Sequence, residues 1–493
     1  MQKKQKINIV WFKRDLRLGD NEAISSATES GERVLFLYVL ENSLIDDSHY
    51  SERHFNFIKQ SLRDLNTALK SYNSKILVVQ SEVILVIKQL LQKYKIDAIH
   101  SHQETGILIT YDRDKSFKRF CRNNLITWKE NINNGVYRGL KNSQEWVLKW
   151  KDYMLMPQHI FQNNENTLFT IEEIEELEGL FEVPSLETPS NKNFQKGGTI
   201  AANIYLRTFF QSRYRNYMLN ISKPLQSRKA CSRLSPYLAW GNLSVRQVFQ
   251  QALKYRENSK NKKHLDAFIS RLQWQAHFIQ KFEMEHTMQF LSLNKGSDKL
   301  KKEISEEYQL AWRSGRTGYP LVDACMRCLN ETGYLNFRMR ALVVSFFTHN
   351  LWQSWQDATK HLSQMFLDFE PGIHYPQLQM QASETGINMI RIYNPVKNSL
   401  EHDPDAEFIK KWVPELLNLE THFAHEPYKM NLIDQSFNNF KLGVDYPYPI
   451  VDRSISRKKA NDRLWALRKD QKVREDNFRI LEKHTFQKRL KIV

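Results

Sequence analysis

The chain has 493 residues, of which 41% are apolar, 26% are charged and four are cysteine. That length suggests about two to four domains, while the composition excludes wholesale disorder, a collagen-like chain and a disulfide-rich exported one. The 72 Lys and Arg residues exceed the 55 Asp and Glu residues by 17, which favours a polyanionic partner such as nucleic acid, although a Lys- and Asn-rich chain can also reflect genome base composition.

The first 130 residues alternate between strand and helix patterns. Short apolar runs at residues 7–12, 34–40, 75–79 and 96–100 are separated by helical patterns, such as those beginning at His54 and Val83. Continuous apolar strands that alternate with helices predict a parallel, doubly wound sheet covered on both faces. We therefore assign residues 1–135 to an α/β domain. No G-x-G-x-x-G follows the first strand, so no dinucleotide site is predicted there.

The middle of the chain is acidic, and the remainder has helical patterns. Residues 164–188 carry eight Glu and no Lys or Arg, which indicates a surface segment with one short acidic helix inside an interdomain linker at 136–198. From 199 to 493 we expect one large all-α domain. There is no apolar signal region and no run of about 18 apolar residues. We expect a cytoplasmic protein without a membrane partner, associated with the nucleoid if it is bacterial.

One segment has the residue types that bind phosphate. Small hydroxyl side chains and an arginine precede a new helix at Pro236, in the order Cys231, Ser232, Arg233, Leu234 and Ser235. Backbone N–H groups at a helix start, together with hydroxyls and an Arg, suit a phosphate or pyrophosphate. A serine N-cap without any ligand is the alternative interpretation.

A second segment could place a charged pair inside the helical domain. A helix is predicted from Gly333 to Trp355, and its Arg338 and Arg340 lie on different faces, so only one points inward. About 28 residues later, Pro371 and Gly372 predict a turn that presents Asp368, Glu370 and His374 around a loop. An inward Arg–Asp pair could lie beside a redox cofactor, stabilise negative charge and exchange a proton. A structural ion pair is the alternative.

Two further patterns have competing interpretations. Trp352 and Trp355 are spaced i, i+3 and would share a helix face, which suits either electron transfer or core packing. Cys325 and Cys328 form a C-x-x-C within a helical stretch, where a redox role is weakly indicated. We treat all four cysteines as structural, and we predict no metal site.

Several segments of the sequence resemble the cryptochrome/photolyase family. They are VWFKRDLRLGDN at 10–21, SRLSPYLA at 232–239, WRSGRTGYPLVDA at 312–324, RIYNP at 391–395, and DPD at 403–405 followed by WVPEL at 412–416. The chain is identified as a divergent, bacterial-type member. The resemblance implies an N-terminal α/β domain, often housing an antenna pigment of folate or deazaflavin type, and a helical C-terminal domain that holds a U-shaped FAD. The stretch 101–106, with Tyr111 and Asp112, marks where a pigment would lie, and a solvated loop is the alternative.

The resemblance also implies roles for individual residues. Tyr217 and the segment from Cys231 to Ser235 would contact the phosphates and ribityl chain of FAD. Arg340 and Asp368 match the charged pair near the flavin ring, and Phe369 and Glu370 lie beside it. His374 falls where DNA-repairing members usually have Asn next to flavin N5, and its charge would couple to the redox state. The residues expected to carry the photochemistry are Trp355, Arg340, Asp368 and His374.

The sequence departs from the family pattern at two sets of positions. Of the three relay tryptophans only Trp355 is kept, because the inner position is Leu378 and the outer one falls near Lys302; substitutes could come from Trp352, Tyr308, Tyr375 or Tyr393. Among the lesion-contacting positions Trp274 is kept, but Arg271, Ala341 and Met380 replace the usual Glu, Met and Trp. The residues expected at the DNA or lesion are Arg271, Trp274, Asn336, Phe337 and Met380.

Three functions are compatible with this sequence. The first is a monomeric DNA photolyase, in which light-excited reduced FAD splits pyrimidine dimers in UV-damaged duplex or single-stranded DNA; the basic charge and Trp274 favour it. The second is a cryptochrome-type blue-light receptor without repair activity, favoured by His374 and the altered lesion pocket. The third is a light-independent flavoprotein that binds nucleic acid.

Overall fold

The computed structural model describes residues 4–161 and 167–485. Its N-terminal part contains a five-stranded sheet in the order β3-β2-β1-β4-β5, with every neighbouring pair parallel. The strands are β1 Lys6–Phe12, β2 Arg33–Leu40, β3 Leu77–Gln80, β4 Lys95–His102 and β5 Thr127–Asn131. The predicted doubly wound parallel sheet is confirmed.

The sheet is buried on both faces. Along β1, Ile7, Ile9 and Trp11 pack into one apolar cluster, while Val10 and Phe12 belong to a second cluster that continues into the C-terminal helices. This alternation is the two-residue period of a strand covered on both sides. The helices of this part are α1 Glu22–Thr28, α2 Asn42–Ile45, α3 Glu52–Leu69, α4 Val83–Lys93, α5 Leu108–Asn123, α6 Trp146–Leu155 and α7 Ile171–Glu178.

The region predicted as a linker is partly packed against the sheet. The short acidic helix predicted there is α7, and its Ile174 and Leu177 are buried. Before it, Leu168 forms a parallel bridge with Val34 of β2, and Arg33 forms an ion pair with Glu173. These contacts fasten residues 168–178 to the edge of the α/β part. Residues 162–166 of the predicted linker lie outside the described residues.

The C-terminal part is helical, as predicted. Its helices are α8 Thr199–Gln211, α9 Tyr217–Asn220, α10 Ser227–Ala230, α11 Ser235–Ala239, α12 Val245–Glu257, α13 Lys262–Met284, α14 Glu306–Ser314, α15 Pro320–Thr332, α16 Phe337–Ser345, α17 Trp355–Met365, α18 Pro371–Gln381, α19 Pro395–His402, α20 Glu407–Trp412, α21 Thr421–His425, α22 Leu432–Phe437, α23 Arg453–Lys469 and α24 Gln471–His484. Among the described residues, no helix combines the length and apolar character needed to cross a bilayer. All four cysteines are buried and unpaired.

The helix predicted to run from Gly333 to Trp355 is interrupted. After α16 the chain makes one π-helical turn at Phe346–Asn350, and Trp352 then adopts a left-handed φ of 53° before α17 begins at Trp355. The prediction that Trp352 and Trp355 share a helix face is therefore wrong. The i, i+3 rule applies only within continuous helix, and the backbone break separates the two indoles.

Candidate functional site

A cavity of about 300 Å³ opens between α16 and α18 in the helical part. Its wall combines apolar side chains with amides, carboxylates, one guanidinium and one imidazole. The lining residues are Ser235, Ala239, Gln275, Tyr334, Leu335, Asn336, Phe337, Arg340, Ala341, Val344, Leu362, Phe366, Asp368, Glu370, Ile373, His374, Gln377, Leu378 and Gln381. The cavity thus brings together Ser235, Asn336, Phe337, Arg340, Asp368, Glu370 and His374 from the predicted site residues.

The charged pair predicted at this site is present on the cavity wall. Nη2 of Arg340 donates to both carboxylate oxygens of Asp368, at 3.0 and 2.7 Å, and Nε donates to the carbonyl of Leu335 at 2.9 Å. Nη1 makes no hydrogen bond to any described residue. The guanidinium also lies 4.0 Å from the ring centroid of Phe366. Arg340 is therefore fixed in place, with one nitrogen left to donate to a ligand.

The loop that carries Asp368 is held by the C-terminal end of α15. Gly333 ends α15 with a φ of 66°, and its carbonyl accepts from the amide of Leu367 at 3.0 Å. An added Cβ at Gly333 would meet the Cβ of Leu367 at 3.0 Å. This close approach, together with the left-handed backbone, suits glycine at this position. It brings the start of α16 next to Asp368.

Pro371 and Gly372 start a helix rather than a turn. Glu370 is the N-cap of α18 and Pro371 its first residue, the position where the fixed φ and missing N–H of proline fit best. Gly372 packs against α13, where an added Cβ would meet Cα of Ile279 at 2.7 Å. The prediction of a turn is wrong, but Asp368, Glu370 and His374 still reach the cavity because α18 begins at its edge.

His374 is neutral in this environment. Burial, reinforced by the neighbouring His49, lowers the pKa of His374 to about 3. Nε2 lies 3.2 Å from the carbonyl of Thr359; since a carbonyl only accepts, Nε2 carries the proton and Nδ1 is an acceptor. The ring therefore carries no charge near neutral pH in this environment, and the coupling of His374 to a cofactor stays a prediction.

Arg14, from the N-terminal part, contacts a carboxylate of the cavity wall. Its Nη2 lies 3.5 Å from the carboxylate of Glu370 and donates to the carbonyl of Phe369, while Nε donates to the carbonyl of Ala239 at 2.9 Å. Burial raises the pKa of Glu370, and the Arg14 guanidinium offsets part of that rise. Sequence reasoning gave Arg14 no role, although it lies inside the motif at 10–21.

Three arginines without acidic partners among the described residues lie around the segment 228–235, and two of them contact Tyr334 of the cavity wall. We call Arg213, Arg228 and Arg233 the arginine cluster; none of them forms an ion pair with a described carboxylate. Arg233 and Arg228 lie 3.7 and 5.6 Å from the ring centroid of Tyr334, which lines the cavity. Nε of Arg233 is buried without a hydrogen-bond partner among the described residues. Burial lowers the pKa values of Arg213 and Arg233.

These observations fit a flavin adenine dinucleotide. A buried cation without a counter-ion is costly, so a pyrophosphate would compensate buried Arg233 and the half-buried Arg213 and Arg228 of the arginine cluster. At the cavity wall, Oδ1 of Asn336 and Oε1 of Gln377 are buried acceptors without partners among the described residues, which suits a ring and a ribityl chain with N–H and O–H donors. The predicted phosphate segment from Cys231 to Ser235 runs through the arginine cluster. Because α11 spans five residues, the arginines supply the positive charge better than its N-terminus does.

Other predicted site residues do not line this cavity. Phe369 is buried against His49, Tyr50, His54 and His374, and Leu234 is a core residue. Burial raises the pKa of Tyr217, which lies near Cys231 and Arg271. Trp274 is 47% exposed on α13. The residues predicted for this site but absent from the cavity wall are Tyr217, Cys231, Ser232, Arg233, Leu234, Arg271, Trp274, Trp355, Phe369 and Met380.

A basic groove lies on the other side of α16. It has a volume of about 590 Å³ and is lined by the cations Arg338, Arg391, Lys397 and Arg457, with one carboxylate, Glu401. Arg338 faces this groove while Arg340 faces the cavity. The prediction that only one of the two arginines points inward is therefore confirmed. One helix supports both surfaces.

The segment predicted for an antenna pigment is tightly fastened. Thr105 and Tyr111 both donate to Oε2 of Glu283 at 2.6 Å, and Arg113 binds Glu41 and Glu104, each at 2.7 Å. The cavity beside Arg113 and Glu104 measures about 40 Å³. A cavity of that size holds a water molecule rather than a pigment.

Two family models match the chain. The model described as "DNA photolyase" matches residues 8–137, and the model described as "FAD binding domain of DNA photolyase" matches residues 268–466. A deoxyribodipyrimidine photo-lyase of Alkalihalophilus pseudofirmus is 26% identical over 92% of this chain and 97% of its own length. A cryptochrome DASH of Idiomarina loihiensis is 27% identical over 83% of this chain and 93% of its own.

Solved structures share the whole fold. A Synechocystis cryptochrome superposes with a TM-score of 0.82 at 23% identity, covering 94% of this chain and all of its own. A bacterial class III photolyase from Agrobacterium tumefaciens gives a TM-score of 0.81 at 22% identity, covering 95% of this chain and 99% of its own. At these identities the likeness concerns the fold.

Proposed function

The chain belongs to the cryptochrome/photolyase family, and on that premise we propose that it is an FAD-dependent lyase that repairs UV-induced pyrimidine dimers in DNA under blue light. One observation carries this proposal. The polar cavity, with its Arg340–Asp368 pair, and the basic groove lie on two faces of the same helix, α16. This arrangement suits a substrate held by its backbone phosphates while one of its bases enters the cavity.

The residues at the cavity have distinct tasks in this proposal. Bound FAD, reduced and excited by light, supplies the electron that opens the dimer. The arginine cluster compensates the pyrophosphate, and Asn336 and Gln377 accept hydrogen bonds from the cofactor. Arg340, kept oriented by Asp368, would offer its free Nη1 as a hydrogen-bond donor to the cofactor.

The groove cations would bind the DNA backbone. Each Lys or Arg that neutralises a phosphate releases counter-ions and steepens the salt dependence of binding. We expect Arg391→Gln and Arg457→Gln each to weaken binding of damaged and undamaged oligonucleotides alike, and to reduce the salt slope by about one. An antenna pigment of folate or deazaflavin type would add light harvesting to this function, and the small cavity beside Arg113 would have to widen to hold it.

A photoreceptor without repair activity is the second candidate. It is favoured by the surroundings of the predicted lesion site, where Arg271 and Met380 replace the family residues and Trp274 lies outside the cavity wall. In this case the same cavity would bind FAD, but no dimer would be split. Partner binding would then change with light.

The deciding assay measures dimer loss directly. Chemically reduced protein is mixed with oligonucleotides that carry either common UV lesion and is exposed to blue light, with a dark sample as control. Repair predicts light-dependent loss of at least one lesion. Persistence of both lesions, with flavin absorbance present, would favour the photoreceptor. Absence of flavin absorbance would refute both candidates.

A further inference from the structure

A buried tyrosine, a histidine and an aspartate form a hydrogen-bonded chain beside the cavity. The hydroxyl of Tyr375 lies 2.7 Å from Nε2 of His49, and Nδ1 of His49 lies 2.7 Å from Oδ1 of Asp47. The same carboxylate oxygen accepts from the backbone amide of His49 at 2.9 Å. The three residues connect α18 to the segment between α2 and α3. Tyr375 is fully buried, whereas His49 and Asp47 reach solvent.

The chemistry of the three groups sets the direction of these bonds. A carboxylate only accepts, so Nδ1 of His49 carries a proton, and in the neutral form of the ring Nε2 is then an acceptor. The phenol of Tyr375 therefore donates to His49. This arrangement positions a base for the phenolic proton and an anion for the imidazolium that forms when the base takes it.

Tyr375 lies near both a residue of the cavity wall and Trp355, the tryptophan kept at a predicted relay position. Its ring centroid is 5.5 Å from that of His374, which lines the cavity, and 6.4 Å from that of Trp355. Leu378, at the position where the family has its inner tryptophan, is three residues further along α18 and shares this face of the helix. Tyr375 is thus an aromatic ring near both His374 of the cavity wall and Trp355, whereas Leu378 provides no redox-active ring.

The route outward from Trp355 is unfavourable for a positive hole. Lys302 is buried in an ion pair with Glu384 at 3.3 Å, and its ammonium lies 5.1 Å from the ring centroid of Trp352. The guanidinium of Arg463 lies 4.7 Å from the same ring. Glu384 offsets the charge of Lys302, but Arg463 forms no ion pair with a described carboxylate, and its charge opposes oxidation of the Trp352 indole to a radical cation. Transfer of an electron from Trp352 to an oxidised residue near the cavity is therefore unfavourable.

We propose that Tyr375 is the electron donor that photoreduces the cofactor and that His49 accepts its proton, an inference that rests on the proposed flavin site. Tyr375 loses one electron to the photoexcited, oxidised flavin. Its O–H bond breaks, the proton moves to Nε2 of His49, and the products are a neutral phenoxyl radical and an imidazolium paired with Asp47. One electron and one proton leave the phenol, and no further reactant is consumed.

The environment requires the electron and the proton to leave together. Burial raises the pKa of Tyr375, so the phenol keeps its proton at rest. A buried phenol radical cation would be an unpaired charge in an apolar site, which is costly. Transfer of the proton to His49 leaves a neutral radical inside and moves the charge toward solvent. Burial raises the pKa of Asp47, but the hydrogen bonds from His49 outweigh this and keep it below its usual value.

The test is electron paramagnetic resonance of the flavin-loaded protein, frozen under blue light. Protein labelled with ring-deuterated tyrosine should give a narrowed tyrosyl signal, and Tyr375→Phe should abolish it. His49→Gln retains a hydrogen-bonding side chain but cannot take a proton, so it should lower the radical yield by about 100-fold. In the parent protein the radical yield should differ between H2O and D2O, and His49→Gln should remove this difference. Tyr50→Phe is the matched control, because Tyr50 is also a buried tyrosine but its hydroxyl makes no hydrogen bond to a described residue.

The outcomes separate this proposal from the proposed function and from a structural role. Protein without flavin absorbance would refute the proposed function. Flavin-loaded protein that yields only a tryptophan radical, unchanged in Tyr375→Phe, would assign the donor to Trp355 and overturn the inference. A His49→Gln variant with an undiminished tyrosyl signal would overturn the proton acceptor. Asp47→Asn is a milder change and should reduce the tyrosyl radical yield less than His49→Gln does. Unfolding midpoints of every variant measure whether its fold is intact.

Discussion

Removing one member of the cavity pair should be more harmful than removing both. In Asp368→Leu the guanidinium of Arg340 loses both of its carboxylate contacts, at 2.7 and 3.0 Å, and no other described carboxylate binds it. Two charges about 4 Å apart attract by about 4 kcal/mol at an effective dielectric constant near 20. Breaking a buried pair from one side costs about 3–5 kcal/mol. Because 27% of the Arg340 side chain is exposed, we expect the lower end, about 3 kcal/mol.

The double variant Arg340→Met/Asp368→Leu should recover most of that stability. Replacing both partners with apolar groups leaves no unpaired charge behind. Flavin affinity should behave differently: both variants should bind FAD about 100-fold more weakly, equivalent to about 3 kcal/mol, because each lacks an oriented guanidinium at the ring. Unfolding by urea and flavin fluorescence measure the two quantities separately.

An exposed ion pair supplies the control. Lys149 and Glu145 are separated by 3.5 Å, with side chains 46% and 79% exposed, so Glu145→Gln should change stability by less than about 1 kcal/mol and leave flavin binding unchanged. The reasoning is refuted if the double variant is as unstable as Asp368→Leu. It is also refuted if either cavity variant binds flavin as tightly as the parent chain.

Two further predictions concern buried charge elsewhere. Asp323 is fully buried and accepts hydrogen bonds from the amide and hydroxyl of Thr317, at 2.8 and 2.6 Å, and from the hydroxyl of Tyr446 at 2.5 Å. Asp323→Ala should therefore lower the free energy of unfolding by about 3–5 kcal/mol. A loss below about 1 kcal/mol in urea titration would contradict this. Burial, reinforced by Lys302, lowers the pKa of His349 to about 3. The unfolded chain therefore binds this proton more readily than the folded chain does. The free energy of unfolding should fall by up to about 1.4 kcal/mol per pH unit as the pH drops from about 6.5 to 3. His349→Gln should flatten that slope by one proton, and an unchanged slope would refute the assignment.

The strands found from sequence and the strand that was missed differ in burial. The four apolar runs correspond to β1 to β4, which lie inside the sheet or are covered by helices on both faces. β5 at the sheet edge reads Thr-Trp-Lys-Glu-Asn, and none of its residues is fully buried. Hydrophobic periodicity reports burial rather than hydrogen bonding. An edge strand with polar side chains therefore gives no such signal.

The sequence predicted those parts of the candidate site that depend on residue types and short spacings. It did not predict the parts that depend on backbone conformation or on contacts between distant segments. The Arg340–Asp368 pair followed from a helix pattern, a spacing and a family resemblance. The break at Trp352 and the helix start at Pro371 depend on backbone conformations that the residue pattern did not distinguish from a continuous helix or a turn. The pairing of Tyr375 with His49 joins positions 326 residues apart. No sequence window contains both residues.

Arg14 shows why the motif at 10–21 belongs to the site although it lies in the α/β part. Besides binding Glu370 and the Ala239 carbonyl, its guanidinium lies 4.6 Å from the ring centroid of Trp240. The backbone of Arg14 lies against Gly241, where an added Cβ would come within 2.2 Å of the Arg14 carbonyl oxygen. His49, the proposed proton acceptor, also comes from the α/β part. Both parts of the chain therefore build the cavity surroundings, and separating them would remove Arg14 and His49, the groups proposed to act on charge and proton transfer there.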